Sequence, residues 1–437
     1  VVTKAERARP DRLAAGAAIR TTVPRGAHAD VPAGPRPDPI SILEDQARTR
    51  IAALIPIRYA RMRASPLAFL RGAAAIMASD LAHTPHTGLL AQSGGDCHIA
   101  NFGTYSSGAI TLFDINDFDE TAIAPFEWDL KRLATSLVLA AREADADPAA
   151  LASGAVEAYG AEIARIARLD PLAAWQRRID VEQTIEAIRS HRMRKRARRL
   201  LDPNEGGQPG HNLIDGDRLR DHPPLVFHIP DQEAEVRDAF ARYVADSAPE
   251  RQLLLGRYRL RDIAFKVVGV GSVGTFCAIG LFMTPDDEAL ILQLKEAQPS
   301  VLAPYVANSE TTGHANRVVT GQRIMQAQSD PFLGVTAMPD GRQLYVRQLK
   351  NQRLAAIATD LQSADLPGYG SLCGRALARA HARSADAVTI AGYLGRSHAF
   401  ARALARFADR YADQTETDWR TFDNAIKTAR LVAASHA

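Results

Sequence analysis

The run Gly95-Asp96-Cys97-His98-Ile99-Ala100-Asn101, with Asp114 thirteen residues beyond Asn101, gathers two carboxylates and an amide in one short stretch. Phosphoryl transfer to a hydroxyl asks for this set: a carboxylate at the attacking oxygen, and an Asn and an Asp that hold magnesium on the nucleotide phosphates. Asp96 and Asn101 are therefore the candidate catalytic residues, and Asn101, Asp114 and Asp117 the candidate metal ligands. An isolated Asp-x-x-x-x-Asn is an ordinary loop cap. Here Asp114, Asp117, Asp119 and Glu120 crowd four carboxylates into seven residues, an arrangement that is costly unless water or cations neutralise it. Spacing favours Asp114 as principal ligand, with Asp117 or Asp119 second. His98 reads as a residue that holds the loop by hydrogen bonds.

A nucleotide needs a second set of residues, and these arrive late. Val268-Gly269-Val270-Gly271-Ser272-Val273-Gly274-Thr275 satisfies G-x-G-x-x-G, a pattern shared by dinucleotide turns and phosphate-covering hairpins. A dinucleotide turn opens a helix at its third glycine, whereas Thr275 to Met283 is β-branched, aromatic and apolar, and turns at Pro285. A hairpin followed by the strand Leu290 to Leu294 fits better, and Lys295 at the end of that strand is placed to grip phosphate. Gly269, Gly271, Ser272, Gly274 and Lys295 are the candidate ATP-binding residues; Lys266, ahead of the loop, is weaker. The acidic or amide partner of Lys295 stays open among Glu296, Glu310, Gln322 and Gln326.

The elements that must position these groups follow from periodicity. Pro39 to Leu81 has helical spacing, with Phe69, Leu70, Ala73, Ala74 and Met77 on one face. Phe102 to Tyr105 and Ile110 to Phe113, parted by Ser106-Ser107-Gly108, read as a hairpin. Helices return from Trp128 to about Arg168 with a break at Pro148, then at Asp231 to Asp246, and over most of the chain beyond Ala315, where Gln343 to Leu349 is a strand. The first forty residues mix Arg, Asp, Ala and Pro and read as a largely disordered tail.

The loop at Gly94 to Asn101, the hairpin and the metal-binding Asp resemble the catalytic segment of aminoglycoside phosphotransferases and related protein-kinase-like enzymes, with Gly94 where those enzymes usually have His. Asp117-Phe118 is superficially similar to their Asp-Phe-Gly. Pro125-Phe126-Glu127-Trp128-Asp129-Leu130 resembles their helix-starting Asp-Leu, which implies that Asp129 braces the catalytic loop from below. The runs Ser65 to Gly72, Gly95 to Gly103 and Asp114 to Thr121 together look like a bacterial family, domain of unknown function 2252, over most of the chain from about residue 40. Because Asp96 precedes Gly269 by more than 170 residues, the kinase resemblance implies a circularly permuted, two-lobe α+β fold. Residues 38–255 and 353–437 would build a mostly helical C-lobe, residues 256–352 a small antiparallel N-lobe, and residues 1–37 a tail. The helix Ser371 to Ser384, with Ala380-His381-Ala382-Arg383, resembles the one that normally leads into the catalytic loop.

Bulk properties narrow the setting. With 53 basic against 50 acidic residues and a net charge of +3, no charge imbalance suggests a nucleic-acid partner. Arg189 to Arg199 is densely basic but lacks interleaved aromatics, and reads as a solvated helical face. Arg71 is a candidate ion-pair partner for the acidic cluster or a solvated residue. Cys97, Cys277 and Cys373 have no CxxC spacing and fit a cytoplasmic setting. Ala264 to Met283 is apolar, yet Lys266 and four glycines favour paired strands over a membrane span. The expectation is an ATP- and magnesium-dependent phosphotransferase acting on a small-molecule or protein hydroxyl. The alternatives are a nucleotide-binding pseudokinase or scaffold, and a nucleotidyl transferase on the same fold.

Overall fold

Proline in the first turn opens α1 (Arg9–Ala18), α2 (Pro39–Ala47), α3 (Ile55–Arg63) and α4 (Pro66–Gly72), where its missing N–H costs nothing. Asp38 and Ser65 cap α2 and α4 by accepting backbone N–H groups. The computed structural model describes residues 7–32, 34–107, 110–186, 190–192, 194–195, 198, 210–267, 269–307, 313–349 and 363–434. Within them the chain is α+β, with helix in large excess over strand. The basic run Arg189 to Arg199 lies partly, and Glu310 wholly, outside the described residues.

The expected tail is a correction. From Arg9 to Ala29 the chain forms α1 and two 3-10 turns. Arg12 pairs with Asp386 at 2.8 Å, and the buried His28 Nε2 lies 2.7 Å from the Tyr393 hydroxyl. Small residues let the segment pack closely. A Cβ on Gly16 would stand 2.0 Å from the Thr389 carbonyl oxygen, and one on Gly392 2.3 Å from that of Leu13. The helical face expected from Phe69 to Met77 is also divided. α4 ends at Ala73 (φ −115°, ψ 36°) before α5 (Ala74–Leu81) begins, so Phe69 packs with Phe422 while Leu70 and Met77 join the central core.

Four short strands follow: β1 (Leu90–Ser93), β2 (Phe102–Ser107), β3 (Ile110–Ile115) and β4 (Ala122–Pro125). They pair antiparallel as β1 with β4 and β2 with β3. α6 (Phe126–Glu143) is buried from Phe126 through Ala141 and is the central helix of the main core. α7 (Pro148–Ile166) packs beside it. The strand-like region is a six-stranded antiparallel sheet. In chain order its strands are β5 (Val226–Phe227), β6 (Arg259–Lys266), β7 (Cys277–Met283), β8 (Ala289–Glu296), β9 (Gly334–Ala337) and β10 (Gln343–Gln348), and in space β9-β10-β8-β7-β6-β5. Ala264 to Met283 is thus strand, glycine turn, strand. α8 (Pro230–Ala245) sends Phe240 and Tyr243 into the same core as β-sheet residues Leu292 and Val346, and α9 (His314–Met325) connects β8 to β9. α10 (Leu366–Ala382), α11 (Ala387–Leu394) and α12 (Ala399–Lys427) return to complete the helical part around α6 and α7.

Burial first, and then the charge of Lys131, lower the His28 pKa to about 3, so the imidazole is neutral in the fold but protonates in the unfolded chain below its usual value near 6.5. Stability should therefore fall as pH drops from about 6.5 toward about 3, by roughly 2 kcal/mol from this group at pH 5. Urea denaturation at pH 7 and pH 5 checks this, and His28→Asn should remove that part of the pH dependence.

Candidate functional site

Register creates the site. The β1/β4 ladder ends at Ser93 opposite Ala122, and the β2/β3 ladder begins at Phe102 opposite Ile115. The two loops between them, 94–101 and 116–121, are therefore clamped side by side at both ends. The Asn116 N–H donates to the Asn101 carbonyl at 2.8 Å. Gly95, at φ 75°, is where the loops touch: a Cβ there would lie 2.3 Å from the Glu120 carbonyl oxygen, so glycine is required on both counts.

Beneath the first loop, the buried Asp129 accepts from Gly94 N–H at 2.7 Å and Gly95 N–H at 3.0 Å, the bracing contact expected of it. His381 of α10 stands against the same carboxylate, Nε2 to Oδ2 at 3.1 Å, and its Nδ1 is 3.0 Å from the Tyr159 hydroxyl. An imidazole is thus present beneath the loop, delivered by a distant helix. A side chain at Gly94 would run into Cys97, whose Sγ is 2.6 Å from the position of a Cβ.

Asp96 borders a cavity of about 390 Å³ together with His98, Asn101, Asp117, Asp119 and Glu120. Its carboxylate takes hydrogen bonds from Arg132 of α6, Nε to Oδ1 at 2.6 Å, and Arg132 is itself anchored on the Leu70 carbonyl at 2.8 Å. Burial raises the Asp96 pKa to about 7, Arg132 opposes that, and Glu120 and Asp117 add to it. Asn101 donates from Nδ2 to the Asp96 carbonyl at 2.7 Å, which fixes the loop. The His98 ring does not hold the loop as expected. Its Nδ1 is buried without a partner, its Nε2 is 3.7 Å from Asp96, and the loop contacts come from its backbone. Burial, then Arg71 and Arg132, keep that imidazole neutral.

Asp114 is not brought to the cavity. It lies inside the ladder opposite Gly103, and its fully buried carboxylate is occupied by Arg379 at 2.5 Å, Ala327 N–H at 2.9 Å and Ile115 N–H at 3.0 Å. Counting thirteen residues from Asn101 lands on a strand position aimed at α10, whereas the turn beyond it faces the cavity. Asp117 and Asp119 occupy that turn. Asp119, one of the two residues left open as second ligand, pairs with the buried Lys295 and accepts from the Tyr345 hydroxyl at 2.7 Å. Among the described residues the partner of Lys295 is therefore Asp119 and none of Glu296, Gln322 and Gln326; Glu310 lies outside them. Gln322 donates to Gln326, Gln326 donates to the Ile115 carbonyl, and the Glu296 carboxylate accepts from Phe276 N–H. Burial works against the Lys295 charge, but Asp119, with Tyr345 and Asp117 adding to it, holds the pKa above its usual value.

The glycine segment faces the Asp96 loop. Gly269 and Gly271 line the cavity, and a Cβ on Gly271 would be 3.6 Å from Asp96 Oδ2 and 3.4 Å from the Arg71 carbonyl oxygen. Gly274, at φ 94°, packs on Arg50 and accepts from Ile51 N–H at 2.8 Å. Only the backbone of Ser272 is described. Residues 50–425 match the family described as an uncharacterized protein conserved in bacteria, DUF2252. The chain belongs to that family. The DUF2252 match takes in the site from Arg50 to His381 and leaves α1, together with the cavity-lining residues from Ile42 to Thr49, outside it. Neither the curated proteins nor the solved structures hold a match to the chain.

Removing one member of a buried ion pair strands the other, at a cost of about 3–5 kcal/mol. Asp114→Ala should lose stability on that scale in chemical denaturation, while Asp117→Ala should lose under about 1 kcal/mol. Equal losses would contradict the different places assigned to the two carboxylates.

Proposed function

We propose that the protein is an ATP- and magnesium-dependent phosphotransferase acting on a hydroxyl, on a protein-kinase-like fold in which the catalytic half precedes the nucleotide-binding half. The observation that carries this reading is the meeting, in one cavity, of Asp96 and the 117–120 turn with Gly269 and Gly271, more than 170 residues beyond Asp96, and with the strand whose Lys295 pairs with Asp119. Asp96, two of the three expected metal ligands (Asn101 and Asp117) and the glycine loop border the same space, and Lys295 is tied to it through Asp119.

The residues present suit the implied groups. Asn101, Asp117 and Asp119 line the cavity, and because the Asn101 amide nitrogen is committed to the Asp96 carbonyl, its oxygen is the end left for a cation. Among the described residues no three His, Cys, Asp or Glu side chains form a metal cluster. An amide with one or two carboxylates is the sparse set that magnesium uses when phosphate and water complete its shell. Bound Mg·ATP would supply the transferable phosphoryl group and neutralise its charge.

The chain's own residues then divide the work. Asp96 orients the acceptor hydroxyl and receives its proton. Arg132 holds the Asp96 carboxylate in place, and Asp129 with His381 holds the backbone that carries it. Lys295, poised on Asp119, is the phosphate-gripping cation, and Gly271 leaves the width that a side chain beside Asp96 would fill. A second reading, nucleotide binding without transfer, is favoured by one feature: Asp96 and Asp119 are each already neutralised by a protein cation.

Incubation with γ- and α-labelled ATP and a metabolite mixture separates the readings. Transfer of the γ label is expected; transfer of the α label would mean nucleotidyl transfer, and retention of both on tightly bound ATP would mean a scaffold. Asp96→Asn should lower kcat by about 10²- to 10⁴-fold with nucleotide binding kept. Since the base form of Asp96 grows as pH rises through about 7, the wild-type rate should climb across that range. A flat profile would remove Asp96 as base.

A further inference from the structure

The cavity has a second set of cations that the nucleotide reading does not use. Arg50, Arg58 and Arg71 all line it, from the α2–α3 connection, α3 and α4. Among the described residues none of the three has a carboxylate within ion-pair distance. Arg58 is 1% exposed. Its Nη2 donates to the Gly72 carbonyl at 2.7 Å and more weakly to Gln46 Oε1 at 3.3 Å, while its Nε and Nη1 are buried without a partner. Arg50 donates from Nη1 to the Val273 carbonyl at 2.6 Å and leaves Nε unpaired. Arg71 has a buried, unpaired Nε and makes no hydrogen bond through its guanidinium among the described residues.

Buried guanidinium donors without acceptors are costly, and such groups are ordinarily satisfied. Burial lowers the pKa of each of these arginines, Arg58 to about 9 with Arg50 adding to the effect, so the resting protein does not compensate their charge. What is missing is an acceptor with several oxygens, for which the guanidinium fork is the matching donor.

We propose that Arg50, Arg58 and Arg71 form an oxyanion pocket that holds a phosphate or carboxylate group of the acceptor, making the substrate an anionic hydroxy compound. The pocket rests on geometry alone; its assignment to the acceptor rests on the phosphotransferase reading. Position favours the acceptor over the nucleotide. Arg71 and Asp96, the proposed base, flank the same glycine: a Cβ on Gly271 would lie 3.4 Å from the Arg71 carbonyl oxygen and 3.6 Å from Asp96 Oδ2, whereas the nucleotide cation, Lys295, is committed to Asp119. A group held by Arg71 would set a neighbouring hydroxyl beside Asp96.

The test is calorimetric titration of the full chain with inorganic phosphate and with malonate, in the presence and absence of saturating Mg·AMP-PNP. Phosphate or malonate is expected to bind with nucleotide present, the stronger of the two naming the substituent. Arg58→Gln should weaken that binding at least tenfold and leave Mg·AMP-PNP affinity within twofold. Arg71→Gln, a half-buried position whose guanidinium has no hydrogen-bond partner among the described residues, should do the same and serves if Arg58→Gln folds poorly. Displacement of phosphate by Mg·AMP-PNP, or loss of nucleotide affinity in these variants, would assign the arginines to ATP and overturn the acceptor proposal. Binding of neither anion, or binding indifferent to both substitutions, would overturn the pocket itself. Arginine-dependent anion binding in a chain that does not bind Mg·AMP-PNP would uphold the pocket and sink the phosphotransferase reading instead.

Discussion

Everything in the candidate site depends on the double clamp around residues 94 to 121. Ser93 paired with Ala122, and Phe102 with Ile115, force two loops of unrelated composition to lie against each other. Asp129 then fixes the backbone of one loop from below by accepting two N–H groups. A loop held at both ends and underneath has few ways to move, and that rigidity is what a catalytic carboxylate needs to act at a set distance from its substrate. The late glycine hairpin and Lys295 add contacts to this frame through Asp119 and Gly271, and do not build it.

Buried charge is the second organising feature. Asp114 with Arg379, Asp96 with Arg132, and Asp119 with Lys295 are three ion pairs, the last two with their carboxylates on the cavity. Such pairs seldom stabilise a fold more than well-packed apolar residues would, because desolvation offsets their attraction. Their placement explains them better. The Asp114 pair ties the hairpin to α10 and to the end of α9, where Arg379 also binds the Met325 carbonyl. The other two pairs hold side chains of the proposed site in single orientations. Arg50, Arg58 and Arg71 stand out against this pattern because no carboxylate closes on them.

Much of this was legible in the residues, and the failures share a cause. The spacing of Asp96 and Asn101, the bracing Asp129, the glycine hairpin and the strand carrying Lys295 are local patterns, and the structure places them where local patterns suggest. Asp114 was misplaced because counting along a hairpin ignores register, which decides whether a carboxylate faces a helix or a cavity. Strand alternation gave a usable signal, since Asp114 sits between Phe113 and Ile115 within a continuous strand while Asp117 and Asp119 lie beyond it. Asp119 could not be singled out among three acids in one turn, because its partner comes from another part of the chain. The arginine pocket has no sequence signature at all, being three residues from two short helices and their connection. The N-terminal arm was misread because a mixture of Arg, Asp, Ala and Pro marks disorder, while the partners that order it, Asp386 and Tyr393, come from the far end of the chain.

The central claim is that segments 94–120 and 269–296, far apart in the chain, make one nucleotide site. Hydrogen exchange with and without Mg·ATP tests it directly. The account predicts that both segments gain protection together on adding Mg·ATP, and that Lys295→Met abolishes the gain in both. Protection confined to one segment, or absent from both, would contradict it.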